Sequence, residues 1–234
     1  MLNLNGELMS GNRVIAVLRD GLLENCDDSR LLYFLKRTHD LQEWLEMRAV
    51  DRHRPNSRLL RRIYRLSDAD DAKIALRAAA VTITDNFWIR QSGSNESYED
   101  VRFKENLFAD VVLEGKLDAF SDGRWQHPSS SPELTNVGSF EKCWRFENDT
   151  WWMYKRGDGS EQFAELFTAA VIECLGYAGT KYYLTSTGVK SKDFTENGNI
   201  ILTQQSGLLA IIMTIMCIAM KNCRRLAKCL QMIM

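Results

Sequence analysis

Histidine is scarce in this chain, with three residues at positions 39, 53 and 127, and none lies close to a cysteine. The six cysteines, at 26, 143, 174, 217, 223 and 229, form no CxxC pair. Neither a zinc site nor a disulfide framework is indicated, because both need ligands at characteristic spacings; free thiols in a reducing cytoplasm are expected. The amino terminus lacks a basic segment followed by a long apolar core and a small-residue cleavage site, so no secretion signal is expected. Internal repeats are missing too. Acids are absent from residues 199–234, which carry Lys221, Arg224, Arg225 and Lys228. The formal net charge of −1 therefore conceals a body with 26 basic residues against 31 acidic ones, which excludes an overall basic footprint for nucleic acid. What is present is 45% apolar and 10% aromatic residues, ample for a buried core in one large domain or two small ones.

Local patterns give an α+β class. Arg13–Arg19 alternates apolar and charged residues and reads as a short strand, with Asp20-Gly21 as a turn. Asp40 is placed to cap a helix in which Leu41, Trp44 and Leu45 share one face. Pro55-Asn56-Ser57 interrupts the chain, after which Leu59, Leu60, Ile63 and Leu66 make another apolar stripe. Ser67, Asp68, Asp70 and Asp71 place negative charge at the start of a third helix expected to run to about Ala80. Val81–Phe108 is richer in β-branched and aromatic residues. The Ser/Pro-rich stretch Ser121–Pro132 reads as a linker between an amino-terminal helical and mixed module, 1–120, and a β-rich unit, 133–198.

Within that second unit a small-residue turn precedes two strands. Gly138 and Ser139 can let backbone N–H groups face an anion, Cys143–Phe146 can form a strand, and Glu147-Asn148-Asp149-Thr150 reads as a hairpin turn into Trp151–Lys155. Lys155 would then direct a cation beneath the loop. One glycine matches neither the Walker nor the GxGxxG pattern, so spacing alone also fits an aromatic hairpin with a surface lysine. Glu161–Leu175 reads as an amphipathic helix with Phe163, Leu166, Phe167, Ala170, Val171 and Leu175 available for packing. Glu161 and Glu165 lie one turn apart on it, so either could offer Lys155 a carboxylate.

The segments Gly138-Ser139-Phe140-Glu141-Lys142, Trp151-Trp152-Met153-Tyr154-Lys155 and Glu161 to Glu165 resemble the amino-terminal part of HipA-like serine/threonine kinases. The family loop reads Gly-Ala-Gln-Glu-Lys or a variant; here Ser139-Phe140 replaces the middle pair. The resemblance runs from about Asn12 to about Thr195, through Asn56-Ser57-Arg58-Leu59-Leu60, Thr84-Asp85-Asn86-Phe87-Trp88 and Tyr98-Glu99-Asp100-Val101-Arg102-Phe103. It implies a kinase-like small lobe in which Gly138, Ser139, Glu141 and Lys142 form the nucleotide loop, Lys155 meets the phosphates and Glu165 is its carboxylate partner. The intact relative would transfer phosphate from ATP, with magnesium, to serine or threonine, and members of the family work as toxins with antitoxin partners. It also implies a phosphorylatable hydroxyl just before the glycine, Thr135 here or alternatively Ser139, modified in this chain only by an intact kinase relative acting in trans.

The family's catalytic aspartate, its asparagine and its second metal-binding aspartate belong later in the chain. No aspartate or histidine follows Phe194, and residues 199–234 hold no aromatic, five of the nine methionines and three of the six cysteines. This is the composition expected of a truncated or frameshifted chain, inactive alone and binding ATP weakly or not at all. Gly207–Met220 is an apolar stretch of about 14 residues, short of the roughly 17–25 that cross a bilayer, so an apolar helical tail is expected before a membrane anchor. The alternative function is a nucleic-acid-binding or protein-interaction module using the basic run Arg48, Arg52, His53, Arg54, Arg58, Arg61, Arg62 and Arg65. Such a run is more commonly a solvated helix face paired with acids such as Asp51, Asp68 and Asp70.

Overall fold

A computed structural model describes residues 4–54, 56–66, 69–114, 130–138 and 140–196. The described part is mixed α+β, built on two four-stranded antiparallel sheets. Residues 121–129 of the Ser/Pro-rich linker, Ser139 and the carboxy-terminal tail 199–234 lie outside the described residues, whereas the end of that linker, Ser131 and Pro132, is buried as the cap and first residue of a 3₁₀ turn.

The first sheet has the order β3-β2-β1-β4, with β1 at Gly6–Ser10, β2 at Arg13–Arg19, β3 at Leu22–Glu24 and β4 at Phe87–Gln91. Leu8, Ile15 and Leu18 on one face pack beneath α1 (Tyr33–Thr38), α2 (Leu41–Glu46) and α4 (Asp71–Arg77), meeting Leu35, Leu41, Leu45, Ala72 and Ala75 in one buried cluster. Asp40 caps α2, its carboxylate accepting from the Glu43 amide at 2.8 Å, and Asp70 caps α4 in the same way through the Lys73 amide. Helix α4 ends at Arg77, three residues earlier than its alanine run suggests. Ala79 and Ala80 take positive φ (50° and 56°), and the Ala79 carbonyl accepts the Ile89 amide of β4 at 2.9 Å. The sheet thus captures a carbonyl that a continued helix would have kept.

The second sheet has β5 (Lys142–Glu147) and β6 (Thr150–Arg156) as a hairpin, then β8 (Gly188–Lys192) and the edge strand β7 (Tyr182–Leu184). Asn148 and Asp149 both have positive φ, 50° and 57°, as a two-residue type I′ turn requires. Its two faces differ. Cys143 and Tyr154 belong to a second core with Leu60 and Tyr64 of the α3 region (helix Ser57–Ile63), Ile74 of α4, and Phe108, Val112 and Leu113 at α6 (Ala109–Glu114). The amino-terminal elements and the second sheet therefore share one apolar core. On the opposite face Trp144 and Trp151 close over Ile83. The four-residue α5 (Tyr98–Val101) sits on the outer side of the first sheet, where Tyr98 and Val101 cover Met9, Val81 and Trp88.

Helix α7 (Gly159–Cys174) lies against β7 and β8. Asp158 caps it through the Ser160 and Glu161 amides, yet none of its residues is fully buried, and Phe163, stacked on Phe167, is 57% exposed. Cys26 and Cys143 are free thiols, whereas Cys174 is disulfide-bonded, a departure from the free thiols expected throughout. Among the described residues, no helix is long and apolar enough to cross a membrane.

Candidate functional site

The β5–β6 register sets Lys142 directly opposite Lys155 and Trp144 opposite Met153. Because successive strand residues alternate faces, all four side chains share the sheet face that α7 approaches. Two ammonium groups directly opposite on one face repel each other. Their surroundings treat them differently. Lys155 Nζ donates to Glu165 Oε1 on α7 and to the Tyr182 hydroxyl at 3.2 Å. Burial alone would lower its pKa, but the hydrogen bonds and charge of Glu165 and Tyr182 carry it above the ordinary lysine value. Glu161, one turn earlier on α7, is not that partner.

Lys142 is the first residue of β5, which begins one residue earlier than the strand expected from sequence at Cys143. Among the described residues its Nζ has neither a hydrogen-bond nor an ion-pair partner. Burial, reinforced by the charges of Arg54 and Lys155, pushes its pKa down to about 8 against the opposing pull of Glu133 and Glu165. Gly138 lies immediately above it at φ +110°, where a Cβ would fall 2.2 Å from Lys142 Nζ. A side chain there would be strained by its backbone and would displace the ammonium.

The turn carrying Gly138 is held from behind. Glu133, in the 3₁₀ turn Pro132–Thr135, is fully buried and accepts four hydrogen bonds: from Arg54 Nη2, Asn106 Nδ2 and the Trp144 amide at 2.9 Å each, and from Asn136 Nδ2 at 3.2 Å. Burial pushes its carboxyl up, while Arg54 and these donors oppose that shift. Arg54 also donates to the carbonyls of Asn136 and Lys142, so one buried guanidinium ties the turn to the start of β5. The buried Thr135 hydroxyl donates to the Val81 carbonyl at 2.6 Å. Phosphorylation at Thr135 would require this turn to leave Val81.

Glu141 is not brought to the lysine pair; its carboxylate meets Arg156 Nη1 at 3.1 Å. Sequence reasoning named Arg54 only as part of the basic run and missed Glu133 and Tyr182. The alternation of Tyr182 and Leu184 offered a signal for the last, placing Tyr182 and Lys155 on a common face once β7 and β8 pair. Two register pairs along from the lysines, and so on the same face, Trp144 and Met153 join Thr135, Asn136, Trp44 and Phe87 in lining an open groove of about 880 Å³. Among the described residues, no group of three or more histidine, cysteine, aspartate or glutamate side chains converges as a metal site would.

The basic run is largely engaged inside the molecule. Arg48 forms a bidentate pair with Asp85 at 2.6 and 2.8 Å and lies over the Trp44 ring, Arg54 pairs with Glu133, and Arg52 and Arg61 share Asp71. These carboxylates differ from Asp51, Asp68 and Asp70, which the sequence put forward. No protein-family model, curated protein or solved structure matches this chain.

Proposed function

We propose that the described part is a phosphate-gripping small lobe of the HipA-like kinase type, whose loop at Gly138 and paired lysines Lys142 and Lys155 receive the phosphates of a nucleotide. One observation carries this reading. Two lysines stand opposite each other on one sheet face, one neutralised by Glu165 and the other, beneath a loop glycine, without a counter-charge. An anion between them would relieve the repulsion and meet backbone N–H groups in the turn. The adjoining groove, floored by Trp144 and Met153, has the volume and apolar lining that a base and sugar need.

The same reading assigns this chain no phosphotransferase turnover of its own. Positioning and charge stabilisation supply nearly all of the catalysis in phosphoryl transfer. Residues 199–234 contain no aspartate, glutamate or histidine to orient an acceptor hydroxyl. Titration of the full chain with ATP followed by calorimetry is expected to show weak binding, in the high micromolar range or above, that Lys155→Ala abolishes. Submicromolar binding indifferent to Lys155→Ala would overturn the placement of the grip. Transfer from labelled ATP to a generic serine/threonine substrate, lost with Lys155→Ala, would overturn the assignment of inactivity.

The nucleic-acid alternative has less support, because Arg48, Arg54 and Arg61 are buried. Its exposed arginines, Arg58, Arg62 and Arg65 together with Arg52, which pairs with Asp71, keep it testable through salt-dependent duplex binding.

A further inference from the structure

Lys142 combines features that surface lysines lack: it is partly withdrawn from water, faces a second lysine across the hairpin, and has no partner of its own among the described residues. The charged groups facing it are Arg54 from the α2–α3 connection, Glu133 from the 3₁₀ turn, Lys155 from β6 and Glu165 from α7. Both carboxylates are already committed, Glu133 to Arg54 and Glu165 to Lys155. Neither carboxylate is left to pair with Lys142, and burial first, with the charges of Arg54 and Lys155 adding to it, disfavours its ammonium form against the pull of Glu133 and Glu165.

We propose that Lys142 is an acylation site for small acyl phosphates, which the cation cluster collects by their phosphate end and which transfer their acyl group to Nζ. This inference rests on reading the cluster as a phosphate site and adds a means of shutting it. The lone pair of the neutral amine attacks the acyl carbonyl carbon. A C–N bond forms, the C–O bond to phosphorus breaks, and inorganic phosphate leaves with the electron pair; the amine proton passes to water. Nothing is oxidised or reduced. The resulting amide carries no charge, so acylation removes one of the two cations that hold phosphate.

The depressed pKa sets the expected size. With a value of about 8, Lys142 presents a few hundred-fold more free amine near neutral pH than an ordinary lysine. A less basic amine is also a weaker nucleophile; on the Brønsted slope of about 0.5 known for thiols, roughly a tenfold net advantage remains.

The test treats the full chain near neutral pH with acetyl phosphate or with the N-hydroxysuccinimide ester of acetate, which carries no phosphate, and maps acetyl-lysine by mass spectrometry. Lys181, whose side chain is 69% exposed, is the internal comparison. Lys142 is expected to react about tenfold faster than Lys181 with the ester. With acetyl phosphate the preference should be larger and should be suppressed by added inorganic phosphate. Equal or slower reaction of Lys142 with both reagents, in a chain that still binds phosphate by calorimetry, overturns the acylation site and leaves the grip standing. Fast reaction with the ester, but no added preference for acetyl phosphate and no protection by phosphate, overturns the proposed donor together with the phosphate reading.

Discussion

Taking the Glu133 carboxylate and the Arg54 guanidinium out of water costs several kcal/mol per ion, and their mutual attraction with the surrounding hydrogen bonds offsets that cost only while both are present. Glu133→Ala is accordingly expected to lower stability in urea by about 3–5 kcal/mol, since it strands a buried cation. The double variant Arg54→Met/Glu133→Leu should recover much of this loss; an additive double loss would show that the two charges are not coupled. Lys142 behaves in the opposite sense. Its folded pKa, about 8, lies below the ordinary lysine value, so between about pH 8 and 10.5 the unfolded chain binds more protons than the folded one. Stability from this group therefore rises with pH across that window, and below it the buried charge is a standing cost. The difference in urea midpoint between Lys142→Met and the parent should be largest near neutral pH, in favour of the variant, and shrink toward pH 10. A constant difference would mean that Lys142 is not depressed in the fold.

At the scale of elements, the legible parts were those whose signal is local. Asp40 before Leu41, and the alternation on either side of Asn148-Asp149, specify a cap and a type I′ turn through atoms a few residues apart, and both stand where expected. The early end of α4 was not legible, because alanines favour helix and only the pairing of Ile89 with Ala79 stops it. Glu133 and Arg54 carried no local sign either; two charged residues 79 positions apart become buried only when the chain brings them together. Helix α7 is an intermediate case. Its apolar spacing located the helix, but spacing does not say what covers each face, and none of the packing residues expected on it is fully buried. Its hydrogen bonds should therefore open locally at low cost. Amide exchange across α7 is expected to be orders of magnitude faster than in β1, β2 and β4, where Leu8, Met9, Ile15, Trp88 and Ile89 are at most 1% exposed. Equal protection in the two regions would show that α7 belongs to the same cooperative unit.

For the whole molecule, the decisive feature is the core shared by Leu60, Ile74, Phe108, Leu134, Cys143 and Tyr154. It makes the amino-terminal elements the second face of the second sheet. Tryptophan fluorescence, dominated by residues in both sheets, and far-ultraviolet circular dichroism should report one coincident urea transition. Leu60→Ala, which opens a cavity at the junction, should shift both signals together by about 2–5 kcal/mol. Separate transitions would mean that the sheets fold independently.

The hairpin register has a further bearing on how this chain can vary. The two turn residues Asn148 and Asp149 lie at the far end of β5–β6 from the lysines, yet they determine which residue stands across from Lys142. Strand side chains alternate with period two, so a slip of one residue would carry Lys155 to the opposite face and bring Tyr154 or Arg156 into its place. Single-residue insertions or deletions in that exposed turn, harmless to most hairpins, would here exchange the cation facing Glu165 for another side chain. Tolerance to length change in the turn is thus limited by electrostatics at the other end of the hairpin, and descendants of this sequence can lengthen the hairpin without loss of the pair only by changes that preserve the pairing.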